Sequence, residues 1–174
     1  MKEIKIKIYK FSELSDEAKE NALNRLYDIN VVHEWWEFTY EDAKEAGIKI
    51  TSFDIDRASY VKADIDDVHE TANLIIKNHG EHCETHKTTK EFLADYDKLV
   101  EKYSDGVNKN RVAEDNEYEF DGEADDLEDE FRKSICEDYR IILQKEYDYL
   151  TSEEAVIESI EANEYDFTDD GKIY

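Results

Sequence analysis

The chain has 174 residues, of which 40% are hydrophobic and 12% aromatic, and its formal net charge at pH 7 is −25. This length and hydrophobic content suffice for a buried core, whereas the charge makes bare nucleic acid and anionic membrane surfaces unfavourable partners. An acidic surface instead favours a basic protein surface as the partner, including one that holds DNA or RNA.

The sequence has no apolar run long enough for a membrane span, and its first residues lack the apolar centre of a signal peptide. Two cysteines, Cys83 and Cys136, are too few for a disulfide framework. These features predict a protein of a reducing cytoplasm. Adaptation to high salt is an alternative explanation of the charge, but most of the 22 bases are Lys, which halophilic proteins tend to lack.

A strand and two helices are predicted at the start of the chain. Residues 3–9 place Ile and Lys on alternate faces, which is typical of a half-buried strand. Ser15 predicts the start of a helix, because its side chain suits the N-cap and acidic residues follow in the first turn. A second helix, rich in aromatic residues, is predicted over residues 32–46, and Gly47 is typical of its end.

Two strands and two more helices are predicted next. Residues 48–55 and 58–65 predict strands, and a slip in the apolar alternation of the first indicates a bulge. Residues 66–79 have the apolar spacing of a helix. Thr88 and Glu91 form a capping-box pattern, which predicts the start of the following helix.

Residues 114–150 are the most distinctive stretch of the sequence. Eleven acidic residues lie between positions 114 and 130, and no basic residue follows them until Arg132. A disordered acidic tail would lack apolar periodicity, but this stretch has it, at Leu127, Phe131, Ile135, Tyr139 and Ile142. We therefore predict one long amphipathic helix that begins near Glu123 and carries an acidic surface.

The chain closes with a short helix and a hairpin. Thr151 and Glu154 form a second capping-box pattern, and Asp170-Gly171 predicts a turn. The whole pattern predicts an α+β fold in which a small, mostly antiparallel sheet packs with several amphipathic helices. We expect a single domain over residues 1–174, with residues 39–110 as a candidate variable helical insertion.

A zinc site is the one candidate for metal chemistry. Residues 79–86 contain three of the five histidines and one of the two cysteines, at spacings common in tetrahedral zinc sites. The candidate ligands are His79, His82, Cys83 and His86. We expect a structural ion that would join two helices and stabilise the fold. A solvated polar loop is the alternative interpretation.

Enzymatic activity has no comparable support. The sequence lacks a glycine-rich phosphate loop, a nucleophile elbow and a Cys/His catalytic signature, so we expect no enzyme. Trp35 and Trp36 could stack on nucleic-acid bases, but acidic rather than basic residues surround them.

The acidic helix is the candidate partner-binding surface. Duplex DNA carries one charge per about 1.7 Å of its axis, and proteins bind it largely through Lys and Arg. A folded helix that carries ordered carboxylates could occupy the same basic groove. The candidate partner-binding residues are Asp121, Glu123, Asp125, Asp126, Glu128, Asp129 and Glu130. An acidic surface that serves solubility alone is the alternative.

The two ends of the sequence are similar to a family of small acidic proteins encoded by phages and prophages. The similarity covers residues 8–19 (IYKFSELSDEAK), 34–37 (EWWE), 146–155 (EYDYLTSEEA) and 162–167 (ANEYDF). Relatives carry a glycine-rich aromatic segment in the middle, where this chain has residues 58–103. The resemblance implies a phage accessory protein in the cytoplasm of a bacterial host, a class that includes anti-CRISPR and anti-restriction inhibitors.

Together these features predict a non-enzymatic, phage-encoded inhibitor of a host defence nuclease. It would act as a DNA mimic that blocks DNA loading into a basic cleft, such as that of a type II CRISPR effector. We expect it to bind neither nucleic acid nor membrane directly. The alternative is an antitoxin-like or adaptor protein that binds one basic protein partner without imitating DNA.

Overall fold

The computed structural model describes residues 6–104, 106 and 111–174. Its elements are six α-helices and two small antiparallel sheets, which confirms the predicted α+β class for the described residues. In chain order they are β1 (Tyr9–Lys10), α1 (Asp16–Leu26), α2 (Glu37–Glu45), β2 (Ile48–Asp54), β3 (Tyr60–Ile65), α3 (Val68–Asn78), α4 (Glu84–Lys102), α5 (Glu117–Leu150), α6 (Glu153–Ala162) and β4 (Asp166–Phe167).

Residue contacts divide the chain into two compact units. The terminal unit consists of the segment up to Trp36 together with Gln144–Tyr174, and the central unit consists of Glu37–Leu143. The candidate insertion, residues 39–110, belongs to the central unit, and its residues 105 and 107–110 lie outside the described residues. The single-domain organisation stays a prediction.

The core of the terminal unit lies between α1 and α6. Its buried residues are Phe11, Leu14, Ala18, Ala22, Val156, Ile160 and Phe167. Ser15 caps α1 as predicted, since its hydroxyl accepts a hydrogen bond from the N–H of Ala18 at 3.3 Å. The cap of α6 is Ser152 rather than the predicted Thr151.

The first predicted strand is much shorter than expected. Residues 3–5 lie outside the described residues, and residues 6–8 belong to no strand, so the prediction is wrong there. Only Tyr9 and Lys10 pair with β4, because that strand consists of Asp166 and Phe167 alone. With no partner strand beside them, Ile6 and Ile8 remain exposed.

The central unit contains the second antiparallel sheet. β2 pairs with β3, and the register shifts between Ile50 and Ser52, which confirms the predicted bulge. α2 begins at Glu37 and not at residue 32, because Trp35 N–H instead bonds the carbonyl of His33 in a tight turn. It is followed by Gly47 with φ of +79°, as the C-terminal glycine pattern predicted.

Helices α4 and α5 form an antiparallel pair in the central unit. Near one end Thr88 bonds Asp138, and near the other Lys102 bonds Glu123. The predicted start of α4 at Thr88 is wrong, because the helix begins at Glu84 with Cys83 as its N-cap. α5 likewise begins at Glu117, about two turns before the predicted start.

Candidate partner-binding surface

The N-terminal part of α5 carries the acidic segment, defined here as residues 117–130. Nine of its residues are acidic and none is basic. The buried side chains Ala124 and Phe131 face the core, while the acids lie on the remaining, largely exposed surface. The predicted arrangement of one apolar face and an acidic remainder is therefore confirmed for this helix.

Three of the seven candidate partner-binding acids form ion pairs within the central unit. Both carboxylate oxygens of Glu123 lie 2.7 Å from Lys102 Nζ, and Tyr103 donates a further hydrogen bond at 2.9 Å. These hydrogen bonds lower the pKa of Glu123, and the bond from Lys102 has a larger effect than the bond from Tyr103. Glu128 and Asp129 share Arg132, each with an N–O distance of 3.1 Å.

The other four candidates are exposed and have no ion pair with any described residue. They are Asp121, Asp125, Asp126 and Glu130. Glu117 and Glu119 near the start of the helix share this property. The acidic segment thus presents six carboxylates to solvent whose charge no described base neutralises.

A cavity of about 140 Å³ extends the acidic surface onto α4. It is lined by Thr88, Glu91, Phe92, Asp95, Leu127, Glu130, Phe131 and Ser134. Three carboxylates therefore border it, and no base does. Glu91 and Asp95 could not be assigned to this surface from the sequence, because only the pairing of α4 with α5 brings them beside Glu130.

Burial is the main cause of raised pKa values at one titratable group on each of the two helices. Burial raises the pKa of the Tyr96 hydroxyl, and the charges of Glu128 and Asp121 raise it further. Burial also raises the pKa of Asp138; Thr88 opposes this shift through its hydrogen bond, while Glu84 and Glu137 add to it. Nearby carboxylates therefore add to the effect of burial at both Tyr96 and Asp138.

The four candidate zinc ligands do not converge on one point. His79 and His86 are close, since His86 Nδ1 donates to the carbonyl of His79 at 3.1 Å. His82 and Cys83 are exposed. Within the described ranges, no group of three or more His, Cys, Asp or Glu side chains could hold a metal ion. Zinc stays a prediction from the sequence.

The side chain of His79 belongs to a polar network in the central unit. Its Nδ1 lies 2.8 Å from Thr85 Oγ1, and its Nε2 lies 3.7 Å from Asp42 Oδ1. Tyr139 donates to the other oxygen of Asp42 at 3.0 Å. The order hydroxyl–imidazole–carboxylate is also that of a nucleophilic triad. Thr85, however, is only 2% exposed, so a substrate could not reach its hydroxyl in this conformation.

Comparisons with known proteins give no match: no family model, no curated protein and no solved structure is similar to this chain. The similarity of its two ends to phage-encoded acidic proteins therefore stays an expectation from the sequence. Among the described residues, no helix combines the length and apolar character needed to cross a membrane.

Proposed function

We propose that the chain is a non-enzymatic inhibitor of a bacterial defence nuclease. It places the acidic segment of α5 in the nuclease's basic DNA-binding cleft and so prevents DNA from loading. The protein would be phage-encoded, and a type II CRISPR effector is the target to test first. The partner in this proposal is a basic protein surface, not nucleic acid and not membrane.

The density of unpaired carboxylates on α5 supports the proposal. Fourteen helical residues span about 21 Å, since an α-helix rises about 1.5 Å per residue. The six acids of this segment without an ion pair thus occur once per about 3.5 Å. Successive phosphates along one DNA strand are separated by about 3.4 Å of axis. A cleft built for a DNA strand would meet a similar charge density.

The packing of the helix supports the same function. Phe131 is 3% exposed and stacks on Phe92 of α4 with 4.4 Å between ring centroids. This contact holds the acidic surface in one conformation, so less conformational entropy is lost when a partner binds. At the start of α5, Tyr118 is 89% exposed, and tyrosine is among the residues that contribute most at protein interfaces.

Competition with DNA tests the proposal directly. The protein is bound to an immobilised, guide-loaded type II effector, and a duplex without a target sequence is added at increasing concentration. A DNA mimic must leave as the duplex occupies the basic cleft. A complex that persists at saturating duplex would contradict the proposal and favour the adaptor alternative. Failure to bind both this effector and a panel of restriction endonucleases would also contradict it.

A further inference from the structure

A second surface of the central unit differs from the acidic segment in both shape and charge. An open groove of about 380 Å³ lies between β3 and the middle of α5. Its lining consists of Ser59, Tyr60, Val61, Lys62 and Ala63 on one side and Arg132, Lys133, Cys136 and Glu137 on the other. We call this the edge groove. One wall consists of the consecutive residues 59–63, which belong to β3 or directly precede it.

The strand that lines the edge groove has one free edge. Among the described residues β3 pairs only with β2. The carbonyl of Lys62 accepts a hydrogen bond from the Thr51 hydroxyl of β2, so the backbone groups of Lys62 point toward β2. Those of its neighbours Val61 and Ala63 then point to the other edge, toward the groove.

The contact of Ala63 with α5 confirms this direction. Burial raises the pKa of the Cys136 thiol, and the backbone N–H of Ala63, which faces that thiol, partly opposes this shift. Further along the edge, Val61 also lines the groove.

The edge groove is basic although the chain is strongly acidic. Lys62 and Lys133 are exposed and have no ion pair with a described residue. The acid of the lining, Glu137, pairs with Arg140 at 2.7 Å, and Arg132 pairs with acids outside the lining. Two lysines without ion pairs therefore set the local charge, and fields from more distant acids are screened beyond about 8 Å at physiological salt.

We infer that the edge groove binds an extended acidic peptide segment of a partner protein, which adds a strand to β3. Main-chain hydrogen bonds to Val61 and Ala63 would provide affinity, and carboxylates near Lys62 and Lys133 would provide selectivity. A strand of another copy of this chain is a different occupant, which the tests below distinguish. The inference does not depend on the proposed function of the acidic segment.

The two cysteines allow a localised test on the full chain. Cys136 lines the groove, whereas Cys83 is exposed outside it and serves as an internal control. The probe is an end-capped peptide of alternating Glu and Val, and the readout is the methylthiolation rate of each cysteine by mass spectrometry. We expect saturating peptide to slow the reaction of Cys136 at least about fivefold and to leave that of Cys83 unchanged.

Matched variants separate the effect of the two groove lysines from the effect of a change in net charge. Lys62→Gln with Lys133→Gln should raise the half-saturating peptide concentration about tenfold. Lys77→Gln with Lys90→Gln removes the same charge from α3 and α4 and should change it less than about twofold. Absence of Cys136 protection, or equal losses in both variants, would overturn the inference.

Two further results would overturn it in favour of another occupant. A peptide N-methylated at every residue has no N–H group to donate along either edge of its strand, so undiminished protection by it would show side-chain docking alone. Protection of Cys136 that grows with protein concentration without peptide, together with a dimer in sedimentation, would show that a second copy fills the groove.

Discussion

Gly171 forms the closing turn of the terminal unit. Its φ is +78°, and its N–H donates to the carbonyl of Thr168 at 3.0 Å, as expected for the predicted turn at Asp170-Gly171. A β-carbon at this position would collide with the carbonyl oxygen of Ala18 in α1. The turn and the helix therefore require glycine at this position.

Gly171→Ala should lower the free energy of unfolding by at least about 2 kcal/mol, through backbone strain and the collision with α1. Urea denaturation measures the loss. Gly106→Ala is the matched control, because Gly106 has φ of +77° but nothing within 4 Å of the added carbon. Its loss should be about 1 kcal/mol, and equal losses in the two variants would show that the contact with Ala18 is absent.

The carboxyl group of Asp138 gives a prediction of pH dependence. Burial raises its folded pKa above the ordinary value of 3.8, so folding favours the protonated form. Ionisation of Asp138 therefore destabilises the protein, and this loss develops as pH rises through the raised pKa. Asp138→Asn should melt at a higher temperature than the wild type at pH 7, and the difference should shrink as pH falls through the raised pKa toward the ordinary value of 3.8.

The control for Asp138 is Asp126→Asn, which removes the same charge from an exposed site on the same helix. Asp138→Asn should increase the melting temperature at pH 7 more than this control does. An increase of the same size in both variants would mean that general charge repulsion, and not burial of Asp138, accounts for the effect.

Single-residue signals in the sequence were reliable where the structure depends on local backbone chemistry. The cap at Ser15 and the turns at Gly47 and Asp170-Gly171 follow from conformations that few residues favour. Side-chain partners were not predictable in this way. Nothing in the sequence distinguishes Glu123 from the acids around it, yet it pairs with Lys102, which is 21 positions away.

Helix α5 is continuous through Gly122, although glycine weakens a helix interior. A β-carbon at this exposed position would meet nothing within 4 Å. Gly122→Ala should therefore raise the free energy of unfolding by about 0.5–1 kcal/mol, measured by chemical denaturation. A loss of stability would show that the start of the acidic segment is not helical.

Element boundaries show which sequence signals fail. The capping-box pattern of Thr88 and Glu91 predicted a helix start, but both residues lie inside α4 and line the cavity beside α5. Thr88 instead donates to Asp138 at 2.7 Å. A pattern of four residues identifies residues that suit a cap, whereas the boundary depends on the helix hydrogen bonds that tertiary packing stabilises.

The apolar period of α5 was a stronger signal because it extends over many turns. Phe131, Ile135 and Tyr139 are all buried, as predicted. Further along, Leu143 is fully buried while Ile142 is only partly so. An ideal helix turns by about 100° per residue, so each step of four residues, from 131 to 135, 139 and 143, moves the buried stripe around the helix by about 40° and brings Leu143 rather than Ile142 into the core.

At the scale of the whole molecule, charge is the dominant property. A net charge of −25 opposes folding by self-repulsion, and local ion pairs offset only part of it. The sequence reveals this total but not its distribution. The central unit separates an acidic surface on α4 and the start of α5 from the basic edge groove, and that separation depends on which helices and strands become neighbours.

The proposed function depends on the acidic segment of α5. Variants that neutralise its carboxylates without changing the size of the side chains test that function most directly. One variant replaces Asp121, Asp125 and Asp126 by Asn and Glu130 by Gln. A matched control removes the same charge from exposed acids of the terminal unit through Glu20→Gln, Glu158→Gln, Glu161→Gln and Asp169→Asn. Both are compared with the wild-type protein.

The measurement is fluorescence anisotropy of a labelled target duplex on a guide-loaded type II effector, titrated with each protein at low and physiological salt. The wild-type protein and the control variant should displace the duplex with half-inhibitory concentrations within about twofold of each other. The segment variant should be at least about tenfold weaker and less sensitive to salt. Equal weakening of both variants, or displacement by the segment variant at the wild-type concentration, would contradict the assignment of the binding surface to α5.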